Sequence, residues 1–168
     1  MNIRISGTAN DSIVDGPGIR YTVFTQGCPH GCKGCHNPQT HDFNGGKVID
    51  SSILIDEIKD NPLLDGVTFS GGEPFCQARV LSQMGRQIKQ EGLNIVTYTG
   101  YLFEYLVKNA NDQNGYMDLL KYTDILIDGR FEIEQRSIDA LFKGSTNQRL
   151  IDCQKSLELN KVIEYVPG

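Results

Sequence analysis

The sequence predicts an α/β fold built around a mostly parallel sheet. Segments with strand character alternate with segments that carry a helical apolar stripe, an order that implies βαβ units. In addition, several predicted strands end in loops that carry glycine or cysteine. The length of 168 residues suits one hydrophobic core, so we expect a single domain over residues 1–168.

The first predicted strand is IRYTVFT at residues 19–25, which is rich in β-branched and aromatic residues and leads directly to Cys28. A helix is predicted from Ser51 or Ser52 to Asn61, because the residue before a proline disfavours helix. The alternation then continues with strands at 66–70, 93–99 and 124–128 and with helices at 78–90, after Gly100 and around 117–122.

The last part of the chain has a weaker pattern. Residues 130–142 have helical character, the stretch FKGSTNQRLID at 142–152 is ambiguous, and VIEYV at 162–166 is predicted as a final strand.

Four loops follow the ends of predicted strands: the cysteine loop after residue 27, GGEP at 71–74, YTG at 98–100 and DG at 128–129. In parallel β/α architectures the loops at the carboxyl edge of the sheet converge and bind ligands there. The sequence therefore predicts one site formed by these loops.

Composition narrows the possible classes of function. A net charge of −5 argues against nucleic acid as a partner, since phosphate binding needs a basic surface. The start of the chain lacks the features of a signal peptide, and no apolar run approaches the length that spans a bilayer. We therefore expect a cytoplasmic protein with no membrane partner, in which an odd set of five cysteines serves metal or redox chemistry.

Three of these cysteines, Cys28, Cys32 and Cys35, lie within one loop. Thiolates suit iron–sulfur clusters and zinc, and a cubane held by three of them keeps one iron open for an exchangeable ligand. Structural zinc would instead recruit His30, His36 or Cys76 as a fourth ligand. We expect both histidines to be solvated, and Cys76 and Cys153 to be small buried hydrophobic side chains.

The GGEP stretch is the second candidate. Gly71 and Gly72 allow the main chain to approach a ligand closely, and polar groups near Glu73 and Pro74 can engage an ammonium group.

The motifs CPHGCKGC and SGGEP resemble the radical S-adenosylmethionine superfamily. Together with DGPGIR, YTGY, LIDGRF and FKGSTNQR, they resemble the family of anaerobic ribonucleoside-triphosphate reductase activating proteins over about residues 13–150. The superfamily often has an aromatic residue before the third cysteine, whereas Gly34 stands here, as it does in this family. The resemblance implies a truncated, partial β/α barrel of the radical S-adenosylmethionine type.

The resemblance also implies the chemistry. A 4Fe-4S cluster on the three cysteines cleaves S-adenosylmethionine reductively, and the resulting radical removes a hydrogen from a glycine Cα of the reductase. The cluster and the cofactor carry this chemistry, so no side chain is predicted to be catalytic. A flavodoxin or similar protein would donate the electron, and Lys33 could help to dock it, although an ordinary solvated lysine is the simpler interpretation.

Site residues follow from the same resemblance. The predicted cofactor contacts are Gly34, Cys35 and His36 near the adenine, Gly71, Gly72 and Glu73 at the methionine end, and, as weaker candidates, Thr97, Thr99 and Asp128. The predicted partner-binding residues, which border the glycine loop of the reductase, are Asp15, Gly16, Pro17, Gly18 and Arg20. Both DGPG and Asp128-Gly129 are also ordinary turn sequences.

Three alternatives remain open. The chain could activate another glycyl-radical enzyme of the pyruvate formate-lyase type, or resemble 7-carboxy-7-deazaguanine synthase, a small-molecule radical enzyme. A third alternative is a zinc-stabilised interaction module without catalysis.

Overall fold

The computed structural model describes residues 1–35 and 37–167. Its strands are β1 Asn2–Ser12, β2 Arg20–Thr25, β3 Lys47–Asp50, β4 Gly66–Gly71, β5 Asn94–Tyr98, β6 Ile125–Asp128 and β7 Arg149–Asp152. Its helices are α1 Ser51–Lys59, α2 Ala78–Gln90, α3 Phe103–Asn109, α4 Tyr116–Tyr122 and α5 Cys153–Leu159. Within the described residues, none of the helices has the length and apolar character needed to cross a bilayer.

All seven strands form one sheet in the order β3-β1-β2-β4-β5-β6-β7. The central strands β2, β4, β5 and β6 pair in parallel, and antiparallel pairs flank them on both sides. The predicted α/β class with its parallel sheet is therefore confirmed. Because the order has two ends, the sheet is open, as a partial barrel requires.

The two faces of the sheet bury different residues. Ile95 and Leu126 belong to a large apolar core with helix residues such as Leu81, whereas their neighbours Val96 and Ile125 belong to a second, smaller cluster. Successive residues of a strand point to opposite faces, so one face carries the helices and the other faces the interior of the partial barrel. The carboxyl ends of β2, β4, β5 and β6 lie along one edge between these faces.

Local sequence signals explain several element boundaries. Asp50 caps α1, because its carboxylate accepts a hydrogen bond from the Ser52 amide at 2.9 Å, so the cap lies one residue before the predicted serines. Helix α2 buries the predicted stripe, including Val80, Met84 and Ile88.

Other predictions were wrong or incomplete. Strands β1 and β3 and helix α5 were not predicted. Residues 130–142 do not form the predicted helix and contain only a short 3-10 turn, Ile133–Gln135. The predicted strand at 162–166 makes just an isolated bridge from Glu164 to Ile151, which is held by hydrogen bonds from the Asp152 amide to the Ile163 carbonyl at 2.8 Å and from the Tyr165 amide to the Leu150 carbonyl at 2.9 Å.

Candidate cluster and cofactor site

The four predicted loops meet at one cavity at the carboxyl edge of the parallel strands. Its walls include residues from the cysteine loop, from GGEP, from YTG and from DG. The residues that line it are Cys28, His30, Cys32, Cys35, Asn37, Ser70, Gly71, Gly72, Tyr98, Thr99, Gly100, Gly129, Arg130, Phe131, Gly144 and Gln148. The convergence follows from the strand order, since parallel neighbours end at the same edge.

The three loop cysteines are free and partly exposed, and all three line this cavity. A turn brings two of them together, because the Cys35 amide donates to the Cys32 carbonyl at 3.2 Å. The Asn37 amide lies 3.5 Å from the Cys35 sulfur and donates to it, a contact of the kind that tunes iron–sulfur centres. Among residues 1–35 and 37–167, no three His, Cys, Asp or Glu side chains are grouped to hold a single metal ion.

Burial raises the pKa of both the Cys28 and the Cys32 thiols above the ordinary value. Backbone amides oppose this shift, that of His30 at Cys28 and that of Phe131 at Cys32. Both thiols are therefore protonated at neutral pH in the metal-free chain, and binding of iron must release these protons.

Gly71 and Gly72 let the GGEP turn pack closely against the backbone at the end of β2. A Cβ atom on Gly71 would lie 2.6 Å from the Thr25 amide nitrogen, and one on Gly72 would lie 2.4 Å from the Gly27 carbonyl oxygen. The Gly72 amide donates to the Thr25 carbonyl at 2.8 Å. These glycines thus dock the GGEP turn against the start of the cysteine loop, and they also line the cavity.

Glu73 is buried, and its carboxylate accepts hydrogen bonds within the protein. Its donors are the Thr99 hydroxyl at 2.9 Å, the Gly100 amide at 2.8 Å and the Phe75 amide at 3.0 Å, in addition to a ring nitrogen of His30. Glu73 is absent from the cavity wall among the described residues. A direct contact between its side chain and the cofactor is therefore not part of the site that we propose.

The side chain of His30 is buried, whereas the sequence predicted a solvated histidine. Its side chain is only 4% exposed, and Nε2 lies 2.6 Å from Oε1 of Glu73. The ring also meets the edge of Tyr101, with 4.6 Å between ring centroids. The expectation of a solvated histidine was wrong because the carboxylate that partners His30 lies far away in sequence.

The two threonines near the end of β5 have different surroundings. Thr99 lines the cavity and donates to Glu73. The Thr97 hydroxyl is buried and shares a hydrogen bond of 2.9 Å with the Thr123 hydroxyl at the end of α4. Thr97 therefore joins the sheet to the helix layer, and we do not include it among the proposed cofactor contacts.

Asp128 is also committed to the scaffold. It is fully buried, accepts from the Phe103 amide at the start of α3 at 2.7 Å, and accepts from Arg149 Nε at 2.9 Å. Arg149 also reaches Glu104 at 2.6 Å, and this contact lowers the pKa of Glu104. Asp128 thus acts as the capping residue that its turn sequence allowed, and we leave it out of the proposed contacts.

Gly34 has a φ of +72°, a backbone region that favours glycine, and a Cβ there would lie 2.5 Å from Ile133 Cδ1. Its presence is explained by this turn and by the segment that packs on it. The predicted contact of His36 lies outside the described residues.

The predicted partner segment lies at the amino end of β2, opposite the cysteine loop. Asp15 accepts from the Ser12 hydroxyl at 2.6 Å and from the Thr22 hydroxyl at 3.1 Å. Gly16 is buried, whereas Ile13 and Val14 expose 73% and 71% of their surface.

Arg20 is completely buried, and its side chain points into the protein interior. Its guanidinium donates to Thr68 Oγ1 at 2.7 Å, to the Pro17 carbonyl at 2.8 Å and to the Val67 carbonyl at 2.8 Å. Burial lowers the pKa of Arg20 to about 10, so the group remains charged at neutral pH. Arg20 therefore holds the loop through Pro17 and cannot itself touch a partner.

Gly18 shows why this turn needs glycine. Its φ is +74°, and a Cβ would lie 2.4 Å from a carboxylate oxygen of Asp65, which already accepts from the Ile19 amide at 2.8 Å. The second glycine of DGPG thus keeps the turn against β4.

Sequence reasoning missed the segment 130–148 as part of the site. Arg130, Phe131, Gly144 and Gln148 line the cavity, and the Gln148 side chain donates to the Gly129 carbonyl at 2.9 Å. LIDGRF contributes Arg130 and Phe131, and FKGSTNQR contributes Gly144 and Gln148; both stretches entered the sequence interpretation only through the resemblance. No periodicity marks them, because they lie in an irregular loop.

The two remaining cysteines differ from each other. Cys153 is buried, as predicted, and burial raises its pKa to about 12. Cys76 is exposed, so its predicted burial was wrong. Within the described part of the chain neither lines the cavity, which leaves three thiols there. This donor set fits a cubane with one iron open to an exchangeable ligand.

Comparisons with known proteins point in the same direction. A family model described as a 4Fe-4S single cluster domain matches residues 14–151. The anaerobic ribonucleoside-triphosphate reductase-activating protein of Haemophilus influenzae is 34% identical over 144 residues, which cover 81% of this chain and 89% of that protein. The protein of the same name from Escherichia coli is 31% identical, with coverage of 81% and 90%. The pyruvate formate-lyase-activating enzyme of Clostridium pasteurianum is 35% identical over 74% of this chain and 50% of its own length.

Proposed function

We propose, from the premise that this chain belongs to the family of anaerobic ribonucleoside-triphosphate reductase-activating proteins, that it installs a glycyl radical on the large subunit of such a reductase. It is a radical S-adenosylmethionine enzyme that uses a 4Fe-4S cluster. When bound, the cluster supplies one electron to the sulfonium of the cofactor, whose cleavage yields the radical that takes a hydrogen from a glycine Cα.

The observation that carries this proposal is the set of three thiols at the meeting point of four strand-end loops. A closed structural site would need a fourth protein ligand, and the described wall offers three thiols with a histidine whose Nε2 already faces Glu73. Cys28, Cys32 and Cys35 would hold the cluster.

The remaining wall supports binding of the cofactor. Gly71 and Gly72 present bare main chain to the cavity, and Thr99 and Gly100 lie beside them. Arg130 adds a positive charge at the rim. We propose that Gly34, Cys35, Gly71, Gly72 and Thr99 contact the cofactor or lie next to it, and His36 stays a prediction.

The glycine loop of the reductase must reach the cavity that would hold the cofactor, and we infer that it enters along the inner face of the sheet, where Gly16 lies next to Val96 of the smaller apolar cluster. The exposed apolar side chains of Ile13 and Val14 lie next to Asp15, and the turn is held from behind by Arg20. We therefore propose that Asp15, Gly16, Pro17 and Gly18 shape the surface that receives the glycine loop, with Arg20 acting indirectly. A flavodoxin-type donor, a cytoplasmic location and a single domain over 1–168 also belong to this proposal.

The test uses the full chain reconstituted anaerobically with iron and sulfide, a reductant, S-adenosylmethionine and a candidate reductase. We expect 5′-deoxyadenosine and, on the reductase, a glycyl radical signal in electron paramagnetic resonance. Formation of neither product would overturn the proposal. Since a pyruvate formate-lyase-activating enzyme is among the relatives, pyruvate formate-lyase serves as the comparison substrate, and a radical formed on it alone would reassign the partner.

A further inference from the structure

His30 occupies the middle of the three residues that separate Cys28 from Cys32. Its Nε2 lies 2.6 Å from Oε1 of Glu73, and the two side chains are 4% and 0% exposed. The roles proposed above for the three thiols and the two glycines do not use this contact. A buried contact between a cysteine loop and a distant carboxylate therefore needs an explanation of its own.

The Glu73 carboxylate is fixed independently of the cysteine loop. The Thr99 hydroxyl and the Gly100 amide hold it from the end of β5, and the Phe75 amide holds it from its own turn. The Thr99 hydroxyl and the Gly100 and Phe75 amides all donate to this carboxylate, so it acts as an acceptor, and Nε2 of His30 suits the same role of donor. Glu73 is thus a rigid acceptor to which His30 attaches the loop.

The imidazole ring also fits a closely shaped slot. A Cβ on Gly100 would lie 2.4 Å from Cδ2 of the ring, and Tyr101 meets the ring edge-on with an interplanar angle of 75°. The slot therefore fixes the orientation of the ring as well as its hydrogen bond.

Backbone hydrogen bonds hold the two ends of the cysteine loop. The Gly27 amide donates to Thr40 at 2.7 Å, the Cys28 amide donates to His41 at 3.2 Å, and the Cys35 amide closes the turn with Cys32. The middle of the loop is attached through the His30 side chain. Removal of this contact would let the segment between Cys28 and Cys32 change its spacing.

We propose that the His30–Glu73 pair is a latch that sets the spacing of the three thiols before the cluster arrives, with His30 and Glu73 acting as positioning residues. The inference rests on the proposed function, since it assumes that these thiols receive the cluster. It assigns to the glutamate of GGEP a role in holding the cysteine loop.

Variants of His30 separate its hydrogen bond from its packing. His30→Gln places an amide nitrogen at the same number of bonds from Cβ as Nε2, so it can still donate to Glu73. His30→Phe fills the ring slot but cannot donate. Thr99→Val removes a different donor to the same carboxylate and leaves the cysteine loop unchanged in sequence. Glu73→Met removes the acceptor of His30, and Glu91→Met, in the exposed pair with Lys59 at 3.8 Å, is its matched control.

The first readout is amide hydrogen exchange of residues 28–35 in the full chain before iron is added. We expect exchange to be about tenfold faster or more in His30→Phe and Glu73→Met, a smaller increase in Thr99→Val, and none in His30→Gln or Glu91→Met. The double variant His30→Phe/Glu73→Met should be no worse than Glu73→Met alone, because the single variant has already lost the contact.

The second readout is iron bound per chain after anaerobic reconstitution, which should fall in the same order. The latch is overturned if His30→Phe keeps wild-type exchange and iron content, or if His30→Gln loses iron as His30→Phe does. The second result would indicate a direct ligand or a role of the ring itself. Formation of 5′-deoxyadenosine by the wild-type chain tests the proposed function separately, so failure of one idea does not hide the other.

Discussion

Two irregular loops flank strand β2, and they differ in the side chains that each leaves accessible. The cysteine loop after Thr25 is held by buried polar contacts, through His30 and the backbone of Gly27, and its thiols remain free at the cavity. The loop before Arg20 is held by a buried guanidinium and leaves the apolar Ile13 and Val14 in solvent. One loop thus presents the thiols that we propose as cluster ligands, and the other presents the surface that we propose for the partner protein.

The charged residues of the motifs mostly support the groups that we propose to react or bind. Glu73 of GGEP, Asp128 of DG and Arg20 of DGPGIR are all buried and bonded within the chain. A buried charge is retained only with partners, and these partners fix the loops. Substitution of a buried charged residue should therefore mainly lower stability, whereas substitution of a group that a loop leaves free should mainly lower activity.

Cys32→Ser has the largest expected effect on activity. The loss of one of three cluster ligands should reduce cleavage of S-adenosylmethionine by on the order of 1,000-fold or more. The free energy of unfolding of the metal-free chain should change by less than about 1 kcal/mol, because Cys32 is partly exposed. Product formation and urea unfolding measure the two quantities, and a stability loss as large as that of a core variant would contradict the separation.

Arg20→Met should show the reverse pattern. It leaves the Thr68 hydroxyl and the carbonyls of Pro17, Val67 and Asn94 without this donor, so we expect a loss of about 3 kcal/mol in unfolding free energy. Reconstituted cluster content at low temperature should stay close to that of the wild type, because Arg20 lies at the opposite end of β2. A variant that lost its cluster while remaining stable would show that the two ends are not independent.

Ile13→Ser with Val14→Ser tests the partner surface. Both side chains are exposed, so stability should change by less than about 0.5 kcal/mol. Radical formation on the reductase should fall about tenfold through weaker docking, while cleavage of S-adenosylmethionine without the reductase stays unchanged. Ile53→Ser on α1, which is 51% exposed, is the control, and an equal loss in both would remove the assignment of this surface.

The smallest expected effect is the contribution of Glu104 to the pH dependence of the unfolding free energy. The hydrogen bond from Arg149 lowers the pKa of Glu104. Its contribution to stability is therefore present above the ordinary pKa of the unfolded chain and is lost as the pH falls through the lower pKa of the folded chain. Because Glu104 is 61% exposed, this contribution is below about 0.5 kcal/mol. Urea unfolding of the wild type and Glu104→Gln should differ at pH 7 and converge below pH 4; an unchanged difference would contradict this assignment.

The sequence predicted the central strands and their loops because each has a strong apolar pattern and a clear terminal signal. Strand β1 was missed because SGTANDS carries few β-formers and is held by pairing with β2 and β3. Residues 130–148 were misinterpreted because their order comes from contacts such as Gln148 with Gly129. The partners of His30 and Thr97 could not be predicted, since each lies in another element.

Electron paramagnetic resonance of the reduced full chain, with and without S-adenosylmethionine, tests the central claim most directly. A 4Fe-4S cluster held by three thiols has one iron open to the cofactor. We expect the spectrum of the reduced cluster to change when the cofactor is added, with no such change for a cofactor analogue that lacks the amino and carboxylate groups. A spectrum that stays the same, or a purified chain that holds zinc without iron, would contradict the account.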